Sequence, residues 1–292
     1  MVAEFNNLAI LIPTRNRPGI LATTLTELQK AGLGDVPLWV YDDCSADPEA
    51  IRKVVESRPK GQVLRGQGRV GQAQGRNVLM HSCGKEFGLF LDDDSFPVSR
   101  LGLERHLLQE RDPQRAIITF QYLDVPSQRL STAPEVNEGQ ARTFQGGGSL
   151  FHIPTVLRLG GFRHFFVYGY EEPELAMRIR MNGRHIWYDP SIIVHHNHFE
   201  TPNEQRDHRE YDYLYARNSI LMSSLNMPLW FGLPHGLARS LRRSFFRRRN
   251  LWSKVQGTLG GVSESFRLWK ERTPCSFSHA VRWCRFNKTC VR

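Results

Sequence analysis

Short apolar runs alternate with stretches of helical spacing through the N-terminal part of the chain. Residues 8–12 are unbroken apolar and end on the turn Pro13-Thr14-Arg15-Asn16-Arg17-Pro18. Ile20, Leu21, Leu25 and Leu28 then recur on one helical face, predicting a helix to about Lys30 with Asn16 as its cap and Gly32 and Gly34 beyond its end. A strand over 38–41 stops at Asp42-Asp43, and a helix over 48–57 and a short strand at 63–64 follow. After a glycine-rich turn come a helix over 72–82 and a strand over 86–91, which runs into Asp92-Asp93-Asp94. This alternation predicts an α/β fold: an open, mostly parallel nucleotide-binding sheet flanked by helices, with ligands outside the carboxyl ends of its strands. Beyond about Arg115 the pattern is mixed: a strand over 116–120, a glycine run at 146–148, a short helix from Pro154 and a helix opened by Glu172-Pro173 and closed by Gly183.

Composition narrows the class. The 292 residues are 40% apolar and 11% aromatic, enough for one substantial core. No run approaches the roughly 18 apolar residues of a membrane span, and the start of the chain lacks the basic and apolar regions of a secretory signal. Five irregularly spaced cysteines form neither a disulfide framework nor a zinc pattern, so a cytoplasmic setting with reduced thiols is expected. The net charge of +10 is unevenly placed: residues 235–292 carry 14 Lys or Arg against Glu264 and Glu271, a local +12, which leaves −2 for the rest. A near-neutral body therefore precedes a basic extension.

The chemistry-bearing residues sit where the predicted strands end. Three adjacent carboxylates, Asp92 to Asp94, repel one another and suit a hard divalent cation such as Mn²⁺ or Mg²⁺; a solvated acidic turn is the ordinary alternative. Asp42 and Asp43 fall in the same crevice and suit a nucleobase imide or ribose hydroxyls, although this is also a common turn sequence. Glu171, Glu172 and Glu174 follow the aromatic segment Phe165 to Tyr170 and offer a general base for an acceptor hydroxyl, while acids also favour helix N-termini for their own sake. His195, His196 and His198 cannot all reach one ion from an extended segment, so one ligand at most is expected. Gly66-Gln67-Gly68-Arg69-Val70-Gly71 fits a dinucleotide fingerprint but stands in the wrong strand-to-helix turn.

In order and spacing these segments resemble an inverting, non-processive family 2 glycosyltransferase of the GT-A fold, from about Ala9 to about Leu221. "IPTYNR" is matched by Ile12 to Arg17, with Arg15 in place of an aromatic. "VDDGSxD" is matched by Tyr41 to Asp47, with Cys44 for glycine, and "GxxxARNxG" by Gly71 to Leu79. The D-x-D motif falls on Asp92-Asp93-Asp94. Gly160-Gly161-Phe162, Phe165-Phe166, Tyr168, Glu171-Glu172, Glu174-Leu175, Arg178, Arg180 and Gly183 match "GGFDExFFxYxEDxDLxxRxRxxG", Pro190 and His195 match "PxxxVxH", and Arg217-Asn218 the later "RN". The resemblance implies that Pro13, Arg15 and Asp43 bind base and ribose, with Arg76 among the donor-binding residues. It implies that Asp92 and Asp93 lie near ribose and diphosphate and that Asp94 binds the metal, with His195 as a metal or diphosphate ligand. Glu172 stands at the base, one methylene (about 1.5 Å) longer than the usual Asp, with Glu171 or Glu174 as possible helpers. The glycines at 146–148 would admit backbone close to donor sugar or acceptor.

The expected organisation is a GT-A domain over 1–227, with a nucleotide-binding half over 1–115 and an acceptor/catalytic half over 116–227, and a helical, basic amphipathic extension over 228–292. Expected partners are a nucleotide-diphosphate sugar (UDP- or dTDP-linked, dTDP-rhamnose among them), a cell-envelope glycan or lipid-linked acceptor, and an anionic membrane surface touched by the extension. Nucleic acid is not expected. Arg282-Trp283 resembles the "QxxRW" of processive synthases, but His279 replaces its Gln. A metal-dependent nucleotidyltransferase and a non-catalytic nucleotide-sugar-binding module are the competing classes; the former should carry a lysine-containing glycine-rich loop near its start.

Overall fold

A computed structural model describes residues 5–109, 112–132, 136–197, 208–246 and 250–286, with backbone alone at 109 and 243–246. The elements of the first half are β1 (Leu8–Thr14), α1 (Pro18–Lys30), β2 (Leu38–Asp42), α2 (Pro48–Glu56), β3 (Gly61–Arg65), α3 (Gly71–Ser82), β4 (Phe87–Leu91), β5 (Ser95–Pro97) and α4 (Leu101–Glu104). Then come β6 (Arg115–Asp124), β7 (Arg129–Leu130), β8 (Gly139–Ala141), β9 (Gly148–His152), α5 (Ile153–Arg158), α6 (Glu171–Met181) and β10 (His185–His196). Four helices close the chain: α7 (His208–Asn226), α8 (Leu229–Phe246), α9 (Leu251–Arg267) and α10 (Phe277–Arg285).

The strands form one sheet in the order β3-β2-β1-β4-β9-β6-β10-β5, with β7 on β6 and β8 on β10. The first four are parallel, and β6 and β10 are parallel to each other. Antiparallel β9 lies between these groups, which makes the whole sheet mixed. β1 is buried along its whole length because both sheet faces are covered. Its alternation divides two cores: Ala9 and Leu11 pack toward α3, α5, α6, α7 and α10, whereas Leu8, Ile10 and Ile12 pack toward α1, α2 and the α4 segment.

Three local expectations change. Asn16 does not cap α1; it sits in the left-handed region at φ 57°, and its side chain accepts from the Ala46 amide at 2.8 Å, while Arg17 occupies the cap position. α6 opens at Glu171, because Tyr170 takes a left-handed φ of 71° just ahead of it, so Pro173 is the third helical residue. The strand expected over 116–120 runs on to Asp124, which carries its end to the cleft.

The C-terminal region is built into the molecule. α8 runs back along α7, where a Cβ on Gly232 would meet the Ser223 carbonyl and one on Gly236 would lie 2.8 Å from the Ile220 Cα. α9 runs beside α7 in the same direction: Gly257 lies on Tyr213, Gly261 on Arg217, and the Ser265 and Ser224 hydroxyls are 2.6 Å apart. α10 buries Ala280 and Trp283 in the main core. No described helix is long and apolar enough to cross a membrane. Arg243, Phe245, Phe246, Arg247, Arg248, Arg249 and Cys290, which belong to the basic extension, lie outside the described side chains, as does His198.

Candidate active site

Both aspartate clusters emerge at the carboxyl ends of parallel strands, and the structure separates their members. Asp93 points inward: Thr14 Oγ1 donates to its Oδ2 at 2.7 Å and Arg17 Nη1 to its Oδ1 at 2.6 Å. The other arm of the Arg17 guanidinium donates to Asp94 Oδ2 at 2.9 Å. Burial pushes the Asp93 carboxyl up to about 7 despite that partner. Burial works the same way on Asp94, but His196 and Arg17 outweigh it and hold Asp94 down at about 2. Asp92 turns to the other side, where Arg76 Nη2 donates to its Oδ1 at 3.1 Å.

The histidine beside this cluster is His196, not His195. β5 pairs antiparallel with β10, setting His196 opposite Ser95 and His195 opposite Phe96. Alternation along the strand sends the two imidazoles to opposite faces. His196 Nε2 reaches Asp94 Oδ1 at 3.2 Å, whereas the His195 ring packs 5.7 Å from that of Phe96. Asp92, Asp94 and His196 each offer a ligand atom, and these atoms lie within 4.8 Å of one another. Two carboxylates and an imidazole suit a divalent cation.

The same separation applies to Asp42 and Asp43. Asp42 is turned into the fold, accepting from the Ser45 amide at 2.8 Å and pairing with Arg65. Asp43 lines the cleft, where the Val70 and Gly71 amides donate to its carboxylate at 2.7 and 3.1 Å. Pro13 and Arg15 lie beside Asp43 on the wall of a cleft of about 520 Å³.

Among the glutamates, Glu172 and Glu171 line that cleft and Glu174 does not. Glu174 is fully buried, accepting from Arg178 Nε and Nη2 at 2.8 Å each and lying 3.3 Å from Arg163. It is an internal counter-ion, which removes it from the candidate bases. The Gly146 amide donates to Glu172 Oε1 at 2.7 Å. Burial and the neighbouring Glu171 raise the Glu172 carboxyl to about 8, against the pull of Arg76. Burial likewise raises Glu171, whose Oε2 has no hydrogen-bond partner among the described residues.

The glycine run also lies hard against the protein's own side chains. A Cβ on Gly146 would enter the Arg76 guanidinium, and one on Gly147 the Asp92 carboxylate and the Tyr122 hydroxyl. These glycines let the protein's own charged groups close over the loop. Arg76 lines the cleft but is only 1% exposed, and its Nε and Nη1 have no hydrogen-bond partner among the described residues. Asp92, Glu172 and His196 also line a second cavity of about 350 Å³, together with Arg129, Ser131 and Gln145. The two cavities therefore share Asp92, His196 and Glu172.

Two cleft residues were not assigned a role from the sequence. Arg17 closes the first motif, but nothing in its spacing shows that it spans two aspartates. Arg239 comes from α8, inside the stretch set apart by its charge; its guanidinium stacks 5.4 Å from the Tyr170 ring and lines the cleft with Tyr168 and Tyr215.

The family model for glycosyl transferase family 2 matches residues 9–157 of the chain. No curated protein sequence matches it significantly. Among solved structures, it is similar to a mannosyltransferase, PcManGT from Pyrobaculum calidifontis, in complex with GDP-Man and Mn²⁺. That likeness has a TM-score of 0.57 and 15% identity, covering 97% of this chain and 83% of that one. GalNAc-T7 with UDP, GalNAc and Mn²⁺ gives a TM-score of 0.64 at 13% identity over 96% of this chain and 58% of the other. S. aureus TarS 1-349 with UDP-GlcNAc gives 0.59 at 16% identity over 89% and 81%. At these identities the likeness speaks to the GT-A fold.

Proposed function

The chain belongs to glycosyl transferase family 2, and on that premise we propose that it moves a sugar from a nucleoside diphosphate to an acceptor hydroxyl, inverting the anomeric centre. The observation that carries this reading is the meeting of Asp92, Asp94 and His196 with Glu172 at the wall two cavities share. Pro13, Arg15 and Asp43 receive the base and ribose, and Asp93, tied to Thr14 and Arg17, fixes the D-x-D turn. Residues 1–115 form the donor half and 116–227 the catalytic half in this reading, with Arg239 joining the rest of the chain to the cleft.

Asp92, Asp94 and His196 would hold Mn²⁺ or Mg²⁺, which when bound neutralises charge on the leaving diphosphate. The imidazole favours manganese, since magnesium prefers oxygen ligands. Glu172 takes the proton of the acceptor hydroxyl as that oxygen bonds to the anomeric carbon. The bond from that carbon to the diphosphate oxygen breaks, and its electron pair leaves on the diphosphate. A carboxyl held near 8 is a stronger base than an ordinary glutamate. Arg76, on the cleft wall, sets its positive charge near the developing negative charge. Tyr168, Tyr170 and Tyr215 supply aromatic faces for a glycan, which fits an acceptor on a cell-envelope or lipid-linked chain.

The test is nucleotide release from UDP-, dTDP- and GDP-linked sugars, dTDP-rhamnose among them, with Mn²⁺. One donor should turn over, and Asp94→Ala should lower the rate about a hundredfold or more. Absence of any donor binding or turnover, or an Asp94→Ala variant indistinguishable from wild type, overturns the reading.

A further inference from the structure

α9 is mounted with its large apolar side chains facing away from the protein. Its inward stripe is Gly257, Gly261 and Ser265, which sit directly on α7. Its outward stripe is Trp252, Val255, Leu259 and Phe266, at the three- and four-residue steps of a single helical face. Trp252 is 70% exposed and Leu259 65%. α8 repeats the arrangement: Gly232, Gly236 and Ser240 face inward, while Trp230, 67% exposed, and Leu241 face out. Trp269, past the end of α9, and Phe277, which opens α10 with its ring 4.8 Å from that of Trp230, are exposed as well. Water is a poor neighbour for so many aligned apolar groups.

The charge on this surface says what covers it. Exposed Arg242 adjoins Leu241, exposed Arg267 adjoins Phe266, and exposed Lys270 adjoins Trp269. Among the described residues from 229 to 286, the acids are Glu264, which pairs with Arg217 and lies 3.6 Å from Arg267, and Glu271, so the cations outnumber them. A second copy seated symmetrically on the same face would bring its cations toward these cations. Anionic lipid headgroups complement them, while tryptophan and leucine side chains enter the acyl boundary.

We propose that the outward faces of α8 and α9 seat this chain on an anionic lipid surface. The contact needs no spanning helix, and it does not depend on the sugar-transfer reading. α8 also carries Arg239 into the cleft, so the lipid-seated layer and the reaction site share a helix.

The test is sedimentation of the full chain with phosphatidylcholine vesicles, with and without phosphatidylglycerol. Wild type should partition about tenfold more strongly to the anionic vesicles. Trp252→Ser/Leu259→Ser should lose about tenfold or more of that binding. Leu101→Ser, which alters an equally exposed apolar residue on α4, should bind as wild type does. Lack of enrichment on anionic vesicles overturns the proposal, as does an equal loss with Leu101→Ser. It is also overturned if wild type is a dimer that the double variant disperses while neither binds lipid. If the double variant fails to show the wild-type thermal transition, brominated lipid read against wild-type tryptophan fluorescence decides: quenching supports the contact, and its absence refutes it.

Discussion

Adjacent like residues take different roles because the backbone aims them apart. Asp92, Asp93 and Asp94 are consecutive, yet one bonds Arg76, one Thr14 and Arg17, and one Arg17 and His196. That charge gathers at this turn was legible; which carboxylate faces which partner was not, because it depends on side chains from β1, the turn after it, α3 and β10. Likewise Glu171 and Glu172 face the cleft, whereas Glu174, a helical step further on, meets Arg178 one turn below it. Glu174→Gln should therefore destabilise the protein by about 3 kcal/mol in urea denaturation, by leaving Arg163 and Arg178 without their counter-ion. Glu172 behaves oppositely. Its carboxyl is raised from 4.5 to about 8 in the fold, so the fold prefers the protonated form. Stability should fall as pH rises from about 4.5 toward about 8 in metal-free buffer. Glu172→Gln should fall less steeply over that window and be the more stable protein at its upper end.

Strand and helix placement was legible wherever apolar periodicity was continuous, and least so at element ends, where single dihedral angles decide. The left-handed Asn16 and Tyr170 set the starts of α1 and α6, and no pattern of apolar residues encodes them. Strand alternation makes the sharpest prediction at this scale. His196→Ala should weaken Mn²⁺ binding at least tenfold by calorimetry, whereas His195→Ala, on the opposite face beside Phe96, should leave it unchanged. The loop before β9 gives a companion test. Gly147→Ala should displace Asp92 and weaken Mn²⁺ binding by about tenfold, with little change in secondary structure by circular dichroism.

For the whole molecule, charge distribution suggested a body with an appended basic segment, and the segment's helical, basic character was readable. Its integration was not. An apolar helical stripe is ordinarily read as a core face, but in α8 and α9 the glycines and serines make the contact with α7 and the large residues turn outward. Nothing in periodicity distinguishes the two mountings, since each leaves the same spacing in the sequence. Because Ala280 and Trp283 complete the main core, truncation after residue 227 should abolish the cooperative thermal transition instead of yielding a soluble catalytic unit.

The central claim is that Glu172 takes the acceptor's proton at the wall the two cavities share, and one comparison tests it most directly: turnover and donor affinity of Glu172→Gln against wild type. Turnover should fall about a hundred- to ten-thousandfold while the donor's dissociation constant in Mn²⁺ stays within about threefold of wild type. Near-wild-type turnover, or a loss accounted for wholly by weaker donor binding, would contradict it.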